Sequence, residues 1–548
     1  MYMRLRTVSD RGEGGHEAPP SSITGRFAAP LELAARAFPS TGKAKHADWR
    51  EVHHLDSFIG RTMGHAPSGA DQRKVMHPRS APISFATAAT LMALVLPCTS
   101  SCGRREAPST QKAPTPVPSA AARSGGSSRR DPSGFAGVGW SINPDTEGAV
   151  TEAAAKAGGR AEEGGLTMVF YTPHHDPHRV AEAARRAGPP SRRNIGFTTH
   201  VGVLTSDGYI DSDTGVVGVL TTHLADVLFG LGIASFDEAA PAEAAKLAYR
   251  RAVADAHKSK GERPAMIVMF GTMTAEEALL GALAEEAGPD VPLIGGTAAG
   301  LASMMERKTK EVASSMFVDD HIVGKGVGIT VYYSPHPFAW AYSGGYTRGS
   351  GKGGVVTDAE GRLLRKIDDR PAVDVYDEWL GGRLSQAKQE GKNVQNFLAL
   401  YPLVQTVTKN GVSHNQVIRA WPSNKPEAPG SLTTGANVSN GEVIYTSEGS
   451  ENILVNRFAA LPRQAKKNAN DMAASAGFFI YCAGALQTIP REHRGNIAAL
   501  VGESMGDMPW IGVFTWGEQG SIPGIGNQHG NLMASTVLFP SADGSRRN

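Results

Sequence analysis

The sequence predicts a mixed α/β protein of layered β-sheets with flanking helices, behind a long N-terminal region that lacks a core. Two observations favour this fold class. Apolar runs without alternation, bounded by Gly or Pro, are typical of buried strands, and capped helical patterns lie between them. An order of strand, helix, strand and strand also recurs three times along the chain. Two folded domains are expected, at residues 137–334 and 335–540.

The first copy of this order starts at the apolar run Leu166–Tyr171. Asp176-Pro177 follows as the N-cap and the first residue of a helix, because a short acidic side chain can accept a free backbone N–H there and proline needs none. Two further runs, at 194–200 and 216–221, predict the remaining strands of the copy.

The second and third copies repeat this order. Strands of the second copy are predicted at residues 265–270, 292–300 and 323–333. A capping box from Thr274 to Glu277 opens its helix. Strands of the third copy are predicted at residues 478–484, 509–518 and 532–539. One helical stretch that ends near Gly502 is expected between the first two of these strands.

The end of a buried strand in these copies carries Ile-Gly followed by small or hydroxyl residues. Glycine permits close backbone approach and threonine offers a hydroxyl, so such strand ends suit a site around a small polar ligand. The alternative is that Gly and Thr only allow strands and helices to pack closely. The candidate ligand-binding residues are Thr198, Thr199, His200, Gly296, Thr297, Cys482, Trp516 and Glu518.

Two of these candidates have explicit alternatives. Cys482 lies at the end of a very apolar strand, where a free cysteine is usually a packing residue. Glu518 follows Gly517 at a buried strand end, so its carboxylate needs a partner. It is expected to bind a ligand amine, to pair with an arginine or to cap a loop. Asn531 is a further candidate.

The N-terminal part of the chain is expected to precede the folded protein. Residues 1–75 mix Gly, Pro, Ser, Arg and His with short apolar segments and are expected to be disordered. Residues 76–102 contain a basic start and an apolar, uncharged run, which predicts a signal peptide. A signal so far inside the chain favours Met76 as the true start. Residues 103–136, rich in Pro, Ser and Arg, are expected to be a tether.

The end of the apolar run resembles the cleavage site of bacterial lipoproteins. Ser101-Cys102 fits best, since a small residue precedes the cysteine there, whereas Cys98 follows a proline. The sequence therefore predicts lipid modification at Cys102 and an exported protein of the cell envelope, lipid-anchored or periplasmic. The alternative is ordinary cleavage, with both cysteines incidental.

The composition excludes several classes of function. The 55 Lys and Arg residues nearly balance the 53 Asp and Glu residues, so no nucleic-acid partner is expected. The 3 cysteines cannot build a disulfide framework. No apolar run reaches the roughly 18 to 20 residues of a membrane-spanning helix. We expect membrane contact only through a lipid anchor, and we expect no cofactor.

Three histidines in one loop, His174, His175 and His178, are the candidates for a metal site. Asp176 between them is already needed as an N-cap, and adjacent side chains rarely converge on one ion. The favoured interpretation is therefore a solvated loop without metal.

Residues 502–506, Gly-Glu-Ser-Met-Gly, match the Gly-x-Ser-x-Gly motif of serine hydrolases. That motif requires a strand before the serine and a helix after it, whereas here a helical segment precedes and a strand follows. The protein is not expected to be an enzyme. A hydrolase that acts through Ser504 is the alternative, and an interaction scaffold without a ligand is another.

The glycine-rich segment Gly349–Gly354 is similar to a phosphate-binding loop. It fails the P-loop pattern twice, because Tyr346 stands where glycine is needed and Gly353 where Ser or Thr is needed. A turn between strands is expected there.

Several segments resemble elements of FIST domains. Residues 194–202 (NIGFTTHVG) and 293–300 (LIGGTAAG) resemble the glycine-rich elements of FIST N-terminal domains. Residues 480–484 (IYCAG) and 512–520 (GVFTWGEQG) resemble elements of FIST C-terminal domains. Further matching segments keep the expected order, at residues 370–376, 401–403 and 435–438. The resemblance spans about residues 137 to 540.

This resemblance implies a sensory module that binds a small ligand such as an amino acid. Because no signalling domain is visible in the sequence, the signal is expected to pass to a separate signalling protein. Three positions depart from the family pattern: His200 stands where Gly or Glu is common, Ala485 replaces an arginine and Gln519 replaces isoleucine. If the missing arginine held a carboxylate, its loss weakens the expectation of an anionic ligand.

Overall fold

The computed structural model of the protein describes residues 134–158, 165–273, 275–300 and 314–541, with the backbone alone at Arg348 and Ser350. The segment expected to be disordered, the expected signal peptide and most of the expected tether lie outside these residues, as does Thr274 of the expected capping box. Among the helices that the structure describes, none is long and apolar enough to cross a membrane.

The first structural unit opens with a strand and a helix that the sequence analysis did not predict, and continues in the predicted order. The Asp176 carboxylate accepts a hydrogen bond from Arg179 N at 2.9 Å, which confirms the N-cap. The elements are β1 (Phe135–Ser141), α1 (Thr146–Ala157), β2 (Leu166–Tyr171), α2 (Pro177–Ala187), β3 (Arg193–Thr198), β4 (Val203–Thr205), β5 (Gly208–Ile210) and β6 (Val217–His223).

The second unit has the same order of elements. Its second helix begins after Ala275, which makes no side-chain capping bond. The elements are β7 (Leu228–Ser235), α3 (Pro241–Asp255), β8 (Met266–Gly271), α4 (Glu276–Ala287), β9 (Leu293–Thr297), β10 (Met316–Val318), β11 (His321–Val323) and β12 (Gly326–Tyr333).

The third unit begins with β13 (Ala339–Ser343) and is then interrupted by an insertion. The elements of the insertion are β14 (Thr347–Glu360), β15 (Leu363–Ile367), β16 (Arg370–Pro371), α5 (Ala372–Trp379), α6 (Arg383–Gln389), α7 (Val394–Leu398), β17 (Leu403–Lys409), β18 (Val412–Ile418), β19 (Ala420–Pro422), β20 (Leu432–Thr434) and β21 (Val443–Glu448). The unit then resumes with α8 (Glu451–Asn468), β22 (Ala474–Cys482), α9 (Ala483–Leu486), α10 (Gly495–Met505), β23 (Trp510–Thr515), β24 (Glu518–Ile522), β25 (Gly526–Gly530) and β26 (Ala534–Pro540).

The helical stretch expected between β22 and β23 is present but interrupted. The structure has the short helix α9, a 3₁₀ turn at Arg491–His493 and then α10. Pro490 lies at the interruption, and proline ends a helix because it has no N–H to donate and its ring clashes with the preceding turn.

All three units build the same core sheet. In each, two neighbouring strands run parallel and a third strand lies antiparallel on the other side of the first. The strand orders are β1-β6-β2-β3, β7-β12-β8-β9 and β13-β26-β22-β23. The three copies read from the sequence are therefore confirmed as one architecture, and the fold class is the predicted mixed α/β class.

Each of these sheets is completed by a hairpin that another unit supplies. Hairpin β10–β11 of the second unit pairs with β3, hairpin β24–β25 of the third pairs with β9, and hairpin β4–β5 of the first pairs with β23. Every unit thus gives one hairpin and receives one. Within the described residues, each six-stranded sheet therefore contains strands from two units.

The inner faces of the three sheets share one hydrophobic core, and helices cover the outer faces. Phe170, Phe270 and Phe478 come from β2, β8 and β22 and meet in that core, with ring centroids 5.2 Å apart for Phe170–Phe478 and 6.1 Å apart for Phe270–Phe478. The covering helices are α1 and α2 for the first sheet, α3 and α4 for the second, and α8 and α10 for the third.

The insertion forms a fourth sheet of order β18-β17-β21-β14-β15-β20-β19, with β16 beside β15. The turn expected at Gly349–Gly354 is wrong, because this segment lies inside strand β14. The pairing of β14 with β21 shifts register between Arg348 and Gly353, so an irregularity in the strand accommodates the extra residues without a turn.

Charged contacts fix the insertion against the second unit. Arg362, in the turn between β14 and β15, donates from Nη2 to Glu276 Oε2 at 2.7 Å and to Glu277 Oε2 at 2.8 Å. Asn437 N donates to Glu277 Oε1 at 2.8 Å. Since Glu276 is buried, this guanidinium supplies a counter-charge to its carboxylate, and the insertion is held beside the end of β9.

Candidate functional site

The ends of strands β3, β9 and β23 meet, and we call residues 198–200, 296–299 and 514–518 the strand-end junction. Ala299 N donates to Thr198 O at 3.1 Å, and His200 N donates to Phe514 O at 3.0 Å. Trp516 N donates to Thr297 O at 3.2 Å, and Thr297 N donates to Gly517 O at 2.8 Å. The backbones of three different units are therefore tied together at the positions where the sequence places its candidate residues.

The threonine hydroxyls of the junction hold its loops in place. Thr198 Oγ1 accepts from Ser315 N at 3.2 Å, and Thr199 Oγ1 donates to Gly202 O at 2.9 Å. Thr297 Oγ1 donates to Glu276 Oε1 at 2.8 Å. All three threonines are buried, so their side chains bond to the protein itself.

His200 is a buried, neutral histidine of the junction. Its Nδ1 contacts Gly300 O at 2.6 Å and its Nε2 contacts Gln487 Nε2 at 2.9 Å, so we assign the proton to Nδ1 and acceptance from the Gln487 amide to Nε2. Burial lowers the pKa of His200 to about 4. The ring meets the Trp516 ring edge-on, with centroids 5.1 Å apart.

Glu518 is a fully buried carboxyl group that caps a loop. Its Oε2 accepts from Met533 N at 3.0 Å, and Thr515 Oγ1 donates to its Oε1 at 2.8 Å. Burial raises the pKa of Glu518 to about 8, although both hydrogen bonds and the Arg457 guanidinium act in the opposite direction. Of the roles expected for this carboxylate, loop capping is the one that the geometry shows.

Cys482 occupies a position that is threonine in the other two units. Thr172 exchanges hydrogen bonds with Val216, because its N donates to Val216 O and its Oγ1 accepts from Val216 N at 2.9 Å. Thr272 makes the same pair of bonds with Gly326.

In the third unit Cys482 keeps only one of these two hydrogen bonds. Cys482 N donates to Met533 O at 3.2 Å, but Met533 N is bonded to the Glu518 carboxylate instead of the Cys482 side chain. Glu518 therefore replaces the hydroxyl of the other two units. The third unit therefore differs from the other two, because a carboxyl group takes the place of a threonine hydroxyl.

Two arginines that the sequence analysis did not select lie beside this carboxylate and thiol. Arg457, on α8, is buried and donates from Nη1 to Gly344 O at 2.5 Å and to Leu532 O at 2.6 Å. Its guanidinium carbon lies 4.5 Å from the centroid of the Tyr481 ring. Arg419, which follows β18, lies against Gly484, since a Cβ built there would be 2.7 Å from Arg419 Nη1.

Several buried polar atoms around the junction have no hydrogen-bond partner among the residues that the structure describes. They are Arg419 Nε, Arg457 Nε and Nη2, Trp516 Nε1, Gln519 Oε1 and Asn531 Oδ1. Buried donors and acceptors almost always have partners in folded proteins, so these atoms mark places for an ordered water or a bound molecule. Four are donors and two are acceptors.

The family comparison agrees with this arrangement. The sequence model of the FIST N domain matches residues 165–370, and that of the FIST C domain matches residues 372–521. The chain belongs to the FIST family. FIST domains are sensory domains of signal transduction. The junction thus takes β3 and β9 from the FIST N part and β23 from the FIST C part. No curated protein matches the chain.

The three departures from the FIST pattern all lie at or beside the junction. His200 bonds to Gln487, and Gln519 Nε2 donates to His529 Nδ1 at 3.1 Å. At Ala485 the family arginine is missing, but the Arg419 guanidinium lies against the neighbouring Gly484. An arginine of the insertion therefore lies beside the position at which the family pattern has one.

Ser504 lies in the last turn of α10 and makes no catalytic contact within the described residues. Its Oγ accepts from Arg463 Nη1 at 2.7 Å and donates to Ala459 O at 3.0 Å. A serine nucleophile needs a neighbouring base to take its proton, and neither of these partners is one.

The three candidate histidines differ in environment. His175 is buried, and burial together with the neighbouring His174 lowers its pKa to about 4, whereas His174 and His178 are exposed. The described part of the chain contains no group of three or more His, Cys, Asp or Glu side chains that could hold a metal ion.

We predict that Glu518 makes the protein less stable as the pH rises. Its pKa is about 8 in the folded protein against 4.5 for the free group, so the folded state binds the proton more tightly than the unfolded state does. The resulting stability is complete below about pH 4.5 and is lost between about pH 4.5 and pH 8. Denaturant unfolding of the wild type and of Glu518→Gln across this range measures it.

The expected result is that the free energy of unfolding of the wild type, taken relative to Glu518→Gln, falls between pH 5 and pH 8. Parallel pH profiles for the two proteins would show that Glu518 titrates normally and that its burial has no effect on folding.

Proposed function

We propose that this FIST protein is an extracytoplasmic sensor that binds a small molecule at the strand-end junction and passes the signal to a separate protein. The observation that carries the proposal is the group of unpartnered buried polar atoms at Arg419, Arg457, Trp516, Gln519 and Asn531. These residues come from the third unit and from the insertion. A ligand there contacts parts of the chain that are far apart in sequence.

The chemistry of these atoms favours an amino acid as the ligand. Arg419 and Trp516 offer N–H donors, which suit a carboxylate. Gln519 and Asn531 offer carbonyl oxygens, which suit an ammonium group. Arg457 adds a second guanidinium nearby, and Glu518, with its pKa of about 8, is mostly protonated at neutral pH and adds little negative charge beside it.

The residues selected from the sequence have two kinds of role in this proposal. Thr198, Thr199, Gly296 and Thr297 shape the site, because their bonds and close contacts hold the strand ends together. Gly296 is needed there, since a Cβ would come within 2.4 Å of Thr515 Cγ2. His200, Cys482, Trp516 and Glu518 form its polar and aromatic wall.

An amino acid that binds here is expected to stabilise the protein. At a free ligand concentration of about 100 times Kd, the free energy of unfolding rises by about 2.7 kcal/mol. A thermal-shift screen of amino acids measures this effect. Trp516→Phe, which removes one N–H, should weaken binding by about tenfold. Trp140→Phe removes an indole N–H from β1, outside the junction, and is the matched control.

Other outcomes of this screen would contradict the proposal. If no amino acid or metabolite stabilises the protein, an interaction scaffold without a ligand is the better description. If a stabilising compound is turned over, or a fluorophosphonate labels Ser504, the protein is a hydrolase. Equal affinities in Trp516→Phe, Trp140→Phe and the wild type would place the ligand away from the junction.

The proposal also includes export and a lipid anchor at Cys102. It rests on the signal-like pattern of residues 76–102 and on the Pro-rich segment that follows. Mass spectrometry of the protein from its native membranes is expected to give a chain that starts at lipid-modified Cys102. Cys102→Ser should release the protein from the membrane fraction. Peptides from residues 1–75 in the native protein would contradict a start at Met76.

A further inference from the structure

A cavity of about 350 Å³ lies between the edge strand β13 of the third unit and the fourth sheet. Strands β17, β18 and β21 of the insertion form one wall, and the segment that links β13 to β14 forms the other. None of the residues selected from the sequence lines it. Its volume is at the lower end of the range in which proteins bind small molecules.

The described side chains that line the cavity are mostly polar, apart from Val404 and Val417, and none carries a formal charge at neutral pH. They include the hydroxyls of Tyr346, Thr406 and Ser447, the amide of Asn415 and the imidazole of His414. Burial lowers the pKa of His414 and keeps the ring neutral. Because no described carboxylate, ammonium or guanidinium group lines the wall, it offers no full charge to a charged ligand.

Most of these hydroxyls already use their protons within the protein. Thr406 Oγ1 donates to Asn415 Oδ1 at 3.0 Å, Tyr346 OH donates to Ala399 O at 2.8 Å, and Ser447 Oγ donates to Pro402 O at 2.9 Å. Their remaining lone pairs can only accept hydrogen bonds. The wall therefore suits a ligand that presents several donors.

His414 gives a second, independent indication of a ligand. Its Nε2 is buried and has no hydrogen-bond partner among the described residues. The imidazole ring is stacked on the Tyr342 ring, with centroids 6.1 Å apart. A polar atom with no partner in a roomy polar cavity calls for a hydrogen-bonding guest.

We propose that this cavity is a second binding site, for a neutral polyhydroxylated molecule of about the size of a monosaccharide. Such a molecule supplies several O–H donors to the acceptor-rich wall and a partner to His414, and it needs no counter-charge. The Tyr346 and Tyr445 rings add apolar surface for its carbon skeleton. The site is distinct from the junction, and its existence does not depend on what binds there.

The cavity also adjoins the junction. Tyr342, on which His414 stacks, donates its OH to Glu518 O at 3.0 Å. Gly344 lines the cavity and accepts from the buried Arg457. A molecule in the cavity is therefore linked to Glu518 through the His414–Tyr342 stack and to Arg457 through the Gly344 carbonyl.

The test is calorimetric titration of the full-length protein with a panel of free monosaccharides and cyclitols. Thr406→Val and His414→Leu each remove one hydrogen-bonding group from the wall, and each should weaken binding by about tenfold. Thr408→Val is the matched control, since Thr408 is on the same strand, bonds to Ser413 across the hairpin and does not line the cavity. Thr408→Val should bind as the wild type does.

Unfolding temperatures of the variants separate loss of binding from loss of folding, and exposed Thr406 tolerates the near-isosteric valine. The proposal is overturned if no polyol binds, or if the affinity is the same in Thr406→Val, His414→Leu and the wild type. It is also overturned if a charged amino acid competes with the polyol in wild type and in Trp516→Phe alike. A negative amino-acid screen alone argues against a ligand at the junction. It does not argue against the site in the cavity.

Discussion

The structure depends on the mutual completion of three sheets. A four-stranded sheet with an open edge exposes a row of unpaired backbone groups, and here the hairpin of another unit covers that edge beside β3, β9 and β23. The strand ends are then tied to one another through their own backbones. A unit without one neighbour would lose the hairpin that covers its sheet edge and the backbone hydrogen bonds at its strand end. The three units are therefore expected to be stable only together.

The tied strand ends bring buried polar groups from different units together. The side chains of Thr172 and Thr272 accept a backbone N–H of their own units. In the third unit Glu518, and not Cys482, accepts the corresponding N–H. A buried carboxyl group is costly unless its surroundings compensate for the lost hydration. The arginines at positions 419 and 457 lie beside it, and this departure from the repeat marks the part of the molecule with specialised chemistry.

The sequence predicts the fold where its signals are local. Buried strands such as Leu166–Tyr171 and caps such as Asp176 depend on residues close together in the chain, and the FIST motifs identify the strand ends. The exchanged hairpins escape prediction because strands as short as Val203–Thr205 and Gly208–Ile210 show no periodicity. The glycine-rich part of β14 looked like a turn because a bulged strand and a loop share the same composition.

The site is predicted less completely, for a different physical reason. Thr198, Thr297 and Glu518 are selected from the sequence because strand ends with glycine and polar residues recur. Arg419 and Arg457 have no such signal, since the insertion and α8 bring them in from other parts of the chain. The cavity beside His414 arises from the way two sheets face each other, and no local pattern encodes it.

Native-state hydrogen exchange of the junction amides tests the central claim most directly. The amides of Thr297, Ala299 and Trp516 bond across unit boundaries, whereas the amides in the middle of β2, β8 and β22 bond within a unit. If the units are stable only together, both groups exchange with the same free energy, that of global unfolding. Exchange of the junction amides at a much lower free energy, with the strand centres still protected, would contradict this account.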